Sequence, residues 1–316
     1  MCNAFSFPLV SIVTPSFNQG TFIRETIQSV LTQNYPNLEY WVIDGGSTDE
    51  TIAILKEYET DSRFHWLSEK DRGQGDAINK GWLRCKGPIL AWLNSDDTYR
   101  PGAILAQVQA LQAQPEVGVV YGDTVYIDEQ SQVVGRYHTR PFDKKRLLHV
   151  PLIGQPSAFF RRNCLEKSGF LDLRFQYALD YDLFLRLLPV TQFLYQPIEI
   201  ATYRIHQQTK TTLGFRPMTD ETVWAIQRIC RQNPTLCSPA QQRKAISDWY
   251  WNGALRSLEE GSRENLIRFV LLALQTDPLR PRMGMFLLKI CDKFMQTNFA
   301  EQLTCFLDKK ATNQIS

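Results

Sequence analysis

Between residues 9 and 121, short apolar runs alternate with stretches of helical periodicity, and the runs stop at polar, turn-forming groups. Residues 9–13 read as a buried strand ending at Thr14-Pro15, after which Ile23, Ile27, Val30 and Leu31 share one helical face. Residues 40–43 form a second strand that stops at Asp44-Gly45-Gly46. Ser47 and Glu50 have the spacing of a capping box, which predicts a helix starting there with Ile52 and Leu55 turned inward. A third strand is predicted over 64–67, a helix over 77–83 and a fourth strand over 88–93. Elements alternating at this length build a mostly parallel sheet flanked by helices, with right-handed crossovers. Such sheets bind ligands at the carboxyl ends of their strands.

After residue 117 the pattern changes. Residues 117–126 and 133–137 flank a polar turn and predict an antiparallel hairpin. Residues 156–161 predict a further strand, and 181–188 a helix with Leu183, Phe184, Leu187 and Leu188 apolar. From about Pro217 the chain reads as helical. The predicted fold class is α/β, with a domain over 1–216 divided into a nucleotide-binding type of half (9–121) and a mixed half with an antiparallel extension (122–216). A C-terminal helical region covers 217–316.

A chain of 316 residues can bury a large core. Its formal net charge of +2 leaves no electrostatic case for a nucleic-acid partner. Seven cysteines without a Cys-x-x-Cys pair read as free thiols in a reducing compartment, not as a disulfide frame or zinc site. No basic, apolar leader is seen, and no run nears the roughly 20 apolar residues of a membrane-spanning helix. The expected location is cytoplasmic.

The fourth strand carries the strongest functional signal, because Trp92-Leu93-Asn94-Ser95 runs straight into Asp96-Asp97. Paired carboxylates at a strand end are hard oxygen ligands suited to Mg²⁺ or Mn²⁺, which take one or two of them and complete their shell with phosphates and water. An Asp-rich turn is the plain alternative. Thr14, Pro15, Ser16 and Asn18 follow the first strand, where backbone amides and small hydroxyls meet a nucleotide, or make an ordinary strand-to-helix turn. Asp44 is placed either to accept hydrogen bonds from a base or ribose or to open the glycine turn. The loop from Asp71 to Gly81 carries Gln74, Asp76 and Lys80 into a helix and lacks the Gly-Lys-Ser/Thr of a Walker loop.

With these four blocks in this order, the sequence resembles the family-2 inverting glycosyltransferases of GT-A fold. The matching runs are Val10 to Asn18, Val42 to Asp49, Asp71 to Gly81 and Asn94 to Asp97, and the resemblance extends to about residue 210. It implies a nucleotide-diphospho-sugar donor, with Asp44 on the base side. Asn94 stands where the family's Asp-x-Asp motif begins, next to Ser95, and Asp96 with its neighbour Asp97 matches the metal ligand. Asn94 retains an amide able to bond a hydroxyl. Asp180 matches the base that takes the proton from an acceptor hydroxyl, with Leu179 in place of the family's preceding Glu. An N-cap role is compatible with it. An ordinary Asp pKa of about 3.9 would leave it ionised at neutral pH. Gln155 and Ser157, with Asp182, fall on the acceptor side. The segment from Tyr203 to His206, continued by Thr209-Lys210-Thr211, resembles the loop closing over the diphosphate, and His206 is a further metal-ligand candidate or a structural histidine.

The function implied is metal-dependent, inverting transfer of a sugar to the hydroxyl of a glycan, a lipid-linked molecule or another acceptor, in polysaccharide or glycan synthesis. A nucleotidyltransferase would need a Gly-rich, basic triphosphate loop, which residues 14–20 lack. A binding module with a decayed site fits poorly with joint retention of Asp44, Asp96, Asp97 and Asp180. In the tail, Arg280, Arg282, Lys289 and Lys293 surround an apolar run at 283–290. This reads as a packed helical cap or as a peripheral contact with the inner face of the membrane, and the shortness of the run favours the cap.

Overall fold

A computed structural model describes residues 7–278 apart from His138, Gln208 and 211–213, so Thr211 and the predicted tail features at 280–293 lie outside the described residues. The chain divides into two compact units at Ser238/Pro239. The first extends past residue 216 to include the helix Phe215–Gln232.

In the first unit, β1 (Val10–Ser16), β2 (Leu38–Asp44), β3 (Phe64–Ser68) and β4 (Ile89–Trp92) pair in parallel in the order β3-β2-β1-β4. The helices α1 (Ile23–Leu31), α2 (Thr51–Lys56) and α3 (Gln74–Arg84) connect them. Beyond β4 the sheet continues through β8 (Phe159–Arg161), β6 (Val117–Ile127), β9 (Gln192–Arg204) and β5 (Thr98–Tyr99), with β7 (Val133–Arg136) beside β6. The predicted hairpin is β6 and β7, paired antiparallel. Among the described residues the remaining helices of this unit are α4 (Ala103–Ala113), α5 (Lys144–Leu147), α6 (Arg162–Ser168), α7 (Leu179–Leu187) and α8 (Phe215–Gln232).

Several local readings change. No capping box forms: Ser47 Oγ donates to Asp44 Oδ1 (2.5 Å) and accepts the Asn18 N–H (2.7 Å), so the helix begins only at Thr51. The first strand runs on to Ser16. Pro15 is tolerated there because β4 is already ending, its last bond to this side being Leu93 N–H to Val13 O at 2.9 Å. The strand expected from residue 156 begins as a 3₁₀ turn, Gln155–Ser157, before β8. Tyr203 and Arg204, read as loop, are the last residues of β9, a strand of 13 residues. Pro197 breaks its alternation, and the register with β6 shifts there, which hides the strand from a period-two reading. Alanine-rich α4 has too weak an amphipathic contrast to stand out.

One face of the sheet buries Ile12, Tyr40 and Val42 with Ile27, Val30 and Leu55 of the helices. Trp82, Trp92 and Phe160 meet as another group, the Trp92 and Phe160 rings stacked 5.7 Å apart. α3 approaches β1 so closely that a Cβ on Gly81 would lie 2.5 Å from Val13 Cγ1. Gly81→Ala is therefore expected to destabilise the unit by about 1–3 kcal/mol through overpacking, read as a lower denaturant midpoint at unchanged slope.

The second unit contains α9 (Pro239–Glu259) and α10 (Arg263–Thr276). They pack at Gly253, where a Cβ would meet the Phe269 ring at 3.0 Å. Among the described residues, no helix is long and apolar enough to cross a membrane, and Cys85, Cys164, Cys230 and Cys237 are free and buried.

Candidate active site

Because β3, β2, β1 and β4 are parallel neighbours, their carboxyl ends bring Ser68–Asp71, Asp44–Thr48, Ser16–Asn18 and Asn94–Asp96 to one edge. Asn18, at φ 51°, accepts the Thr48 N–H at 2.8 Å and so ties two of these segments together. Asp71 Oδ1 accepts from Gly73 N, whose φ of 107° lets the chain turn into α3. Asp71 Oδ2 lies where a Cβ on Gly45 would stand, 2.8 Å away. Ser16 Oγ is buried at this edge without a hydrogen-bond partner among the described residues, and Thr14 Oγ1 pairs with Tyr40 Oη at 2.9 Å.

Asp44 is fully buried, and its carboxylate accepts from Gly46 N, Ser47 N, Ser47 Oγ and Ser68 Oγ. Three of those bonds close the glycine turn and the fourth ties it to β3. Gln74, Asp76 and Lys80 lie on α3 itself. Asp76 accepts from Arg72, and Lys80 sits between Glu69 (2.9 Å) and Asp76 (3.5 Å).

A polar chain crosses the edge. Lys210 Nζ donates to Gln74 Oε1 (2.9 Å), and Gln74 Nε2 to Asn94 Oδ1 (2.7 Å). Asn94 Nδ2 donates to Asp97 Oδ2 (3.1 Å) and Gln155 Oε1 (3.3 Å), and Gln155 Nε2 to Trp92 O (2.9 Å). Ser95 is buried, and its carbonyl accepts from Thr26 Oγ1. Ser157 is also fully buried, bonded to Gly122 and Gly154, so it supports the turn from inside.

The adjacent acids separate. Asp96 is partly exposed, and its Oδ2 stands 3.0 Å from His206 Nε2. Asp97 is 1 % exposed and accepts from the Arg204 N–H (2.9 Å) as well as from Asn94. Burial first, and the Asp96 charge second, push its carboxyl well above the usual range. The organiser of this turn is Arg204, which the sequence reading did not single out. From full burial it donates to Asp96 O (2.9 Å), Asp128 O, Ser131 Oγ and Glu25 Oε2, with its guanidinium over the Phe22 ring. A lone arginine ending the Ala201-Thr202-Tyr203 run is the signal that marks it.

Asp180 stands in the first turn of α7 and not at its N-cap, which is Ala178. Its Oδ1 accepts the Tyr181 N–H at 2.8 Å, and desolvation raises its pKa to about 6, above the ordinary value expected from sequence. Asp182 is buried and paired with Arg186 (2.9 Å) and Arg228, and so holds α8 against α7. The loop before Asp180 packs by this strand edge, since a Cβ on Gly73 would meet Gln176 Oε1 at 3.1 Å. Glu221 of α8, without any signature in sequence, clamps that loop by accepting from Gln176, Tyr177 and Ala178 N–H groups at 2.8–3.0 Å. Glu221→Ala is expected to cut kcat about tenfold while donor Kd changes less than about twofold. Equal changes in both would deny it a positioning role.

The edge thus combines polar side chains and a carboxylate–imidazole pair, with the loop that leads into Asp180 packed beside it. The Glycosyl transferase family 2 pattern matches residues 11–169. An uncharacterized glycosyltransferase of Rickettsia prowazekii is 33 % identical over 224 residues, covering 66 % of this chain and 68 % of the relative. Chondroitin synthase of Escherichia coli is 29 % identical over 187 residues, which span 59 % of this chain but only 27 % of that enzyme. The structure of S. aureus TarS 1–349 in complex with UDP-GlcNAc superposes with a TM-score of 0.66 at 14 % identity, covering 93 % of this chain and 92 % of that one. The mannosyltransferase PcManGT of Pyrobaculum calidifontis, in complex with GDP-Man and Mn²⁺, gives 0.58 at 19 % identity, covering 89 % and 85 %. The structural likenesses establish the GT-A fold, and the sequence match establishes that this chain belongs to glycosyltransferase family 2.

Proposed function

We propose that the protein transfers a sugar from a nucleoside-diphosphate donor to an acceptor hydroxyl, with inversion and with a divalent cation, in the synthesis of a glycan or polysaccharide. The observation that carries this reading is the Asp96–His206 pair at the strand edge, with the loop that leads into Asp180 packed beside that edge. TarS and PcManGT bind UDP-GlcNAc and GDP-Man in their structures, and chondroitin synthase is a glycan-building relative, which supports the donor and acceptor classes.

The donor set suits Mn²⁺ or Mg²⁺. One carboxylate and one imidazole face each other at 3.0 Å, and no group of three His, Cys, Asp or Glu that could hold a metal occurs among the described residues. The remaining positions suit phosphate oxygens and water. Asp96 and His206 would hold the ion, which when bound stabilises charge on a departing diphosphate. Arg204 keeps Asp96 in place. Ser16, Asn18, Asp71 and Asn94 offer hydroxyl, amide and carboxylate groups to the nucleoside and ribose. Asp180 accepts the acceptor's hydroxyl proton as that oxygen bonds the anomeric carbon and the bond to the diphosphate breaks. One displacement gives inversion.

A panel of UDP-, GDP-, dTDP- and CMP-sugars with Mn²⁺ and sugar acceptors tests the reading, with released nucleotide and product mass as readouts. Release of diphosphate and a product of inverted anomeric configuration are expected with one donor class. A retained configuration, or undiminished transfer in excess chelator, would reject the corresponding part.

A further inference from the structure

Residues 140–149 hold a concentration of charge that the donor chemistry does not use. Arg140, Lys144, Lys145 and Arg146 oppose one acid, Asp143, in a chain whose total formal charge is +2. All four cations are exposed, and none has a carboxylate partner among the described residues. Asp143 offsets only one of these charges, and its Oδ1 caps α5 by accepting from Lys145 N (2.8 Å) and Arg146 N (3.0 Å). Several other exposed arginines of this unit are paired, Arg24 with Glu57, Arg136 with Glu199 and Arg174 with Asp172.

A basic run on a surface is ordinarily a solvated face, and position separates this one from that case. Leu147, the last residue of α5, accepts the Tyr181 hydroxyl at 2.7 Å, and Tyr181 follows Asp180 directly. The Arg140 carbonyl accepts from Tyr121 Oη at 2.9 Å, which anchors the other end of the segment to β6. Tyr137, just before it, donates its hydroxyl to Pro151 O. The segment is therefore fastened at one end to β6 and at the other to the residue that follows the base. A cationic border there attracts and orients an anion.

We infer that the acceptor is itself anionic, bearing a phosphate or a carboxylate that Arg140, Lys144, Lys145 and Arg146 engage while its hydroxyl reaches Asp180. This rests on the transferase reading above, and adds the charge of the acceptor to it.

The test compares matched acceptors with the full chain, Mn²⁺ and the donor identified by the panel: an alkyl hexoside, its 6-phosphate and the corresponding alkyl uronide. Preference for a charged acceptor over the neutral one, by about tenfold or more in kcat/KM, is expected, and it should shrink at high salt. The phosphate and uronide arms separate the two sources of charge. K144E/K145E/R146E is expected to erase most of that preference. These side chains are exposed and Asp143 caps through the backbone, so the variant should fold, as thermal unfolding will show. Equal use of neutral and charged acceptors by the wild type, or an unchanged preference in the triple variant, overturns the inference. So does flotation with phosphatidylglycerol vesicles, lost in the variant without any change in acceptor preference, which would make the segment a membrane contact. Donor hydrolysis without acceptor is read separately: no turnover of any kind with any donor removes the transferase reading itself.

Discussion

Asp180→Asn is expected to keep donor binding and to lose transfer by a factor on the order of 10² or more, because the amide cannot accept the acceptor's proton. The same residue predicts the pH profile. With a pKa of about 6, the wild-type rate should fall roughly tenfold per unit below pH 6, the protonated acid being inactive. Stability moves the opposite way. An aspartate raised above the unfolded value of about 3.9 binds its proton more tightly in the fold, so stability declines as pH rises from about 4 to about 6 and stays reduced above that. Asn never ionises, so the variant should be the more stable protein at pH 8, by on the order of 2 kcal/mol. Loss of transfer with a raised Tm separates catalysis from support of α7. Near-normal transfer by the variant would remove Asp180 as base.

Asp96→Ala and Asp97→Ala should fail differently. Asp96 is partly exposed and faces His206, so its loss is expected to leave the melting temperature nearly unchanged while turnover drops by 10² or more. The stabilisation of the fold by Mn²⁺ plus nucleoside diphosphate, seen as a thermal shift, should vanish with it. Asp97→Ala removes the acceptor of the buried Arg204 N–H and of the Asn94 amide, and should cost about 2–4 kcal/mol of stability. A thermal shift with Mn²⁺ that survives in Asp96→Ala would take the cation away from this residue.

These adjacent acids show where reading a sequence stops. The alternation over residues 9–93 was enough to place four strands in a parallel sheet, because period and length are local properties that tertiary packing confirms instead of overriding. The same strands necessarily deliver Asn18, Asp44, Asp71 and Asn94 to one edge. The β9 strand escaped, since Pro197 and a shifted register erase the period that would reveal it.

Which acids are available to a ligand was decided by residues remote in the chain. Asp44, Asp97 and Asp182 have the residue type and spacing of site groups, and Ser68, Arg204 and Arg228 reach them from distant positions to bond their oxygens. His206 comes to Asp96 from 110 positions away, and Glu221 clamps the loop before Asp180 from 43 to 45. Sequence specified the carboxylates and their order. Desolvation and hydrogen-bond saturation depend on which distant groups close around each one, and only the folded chain determines that.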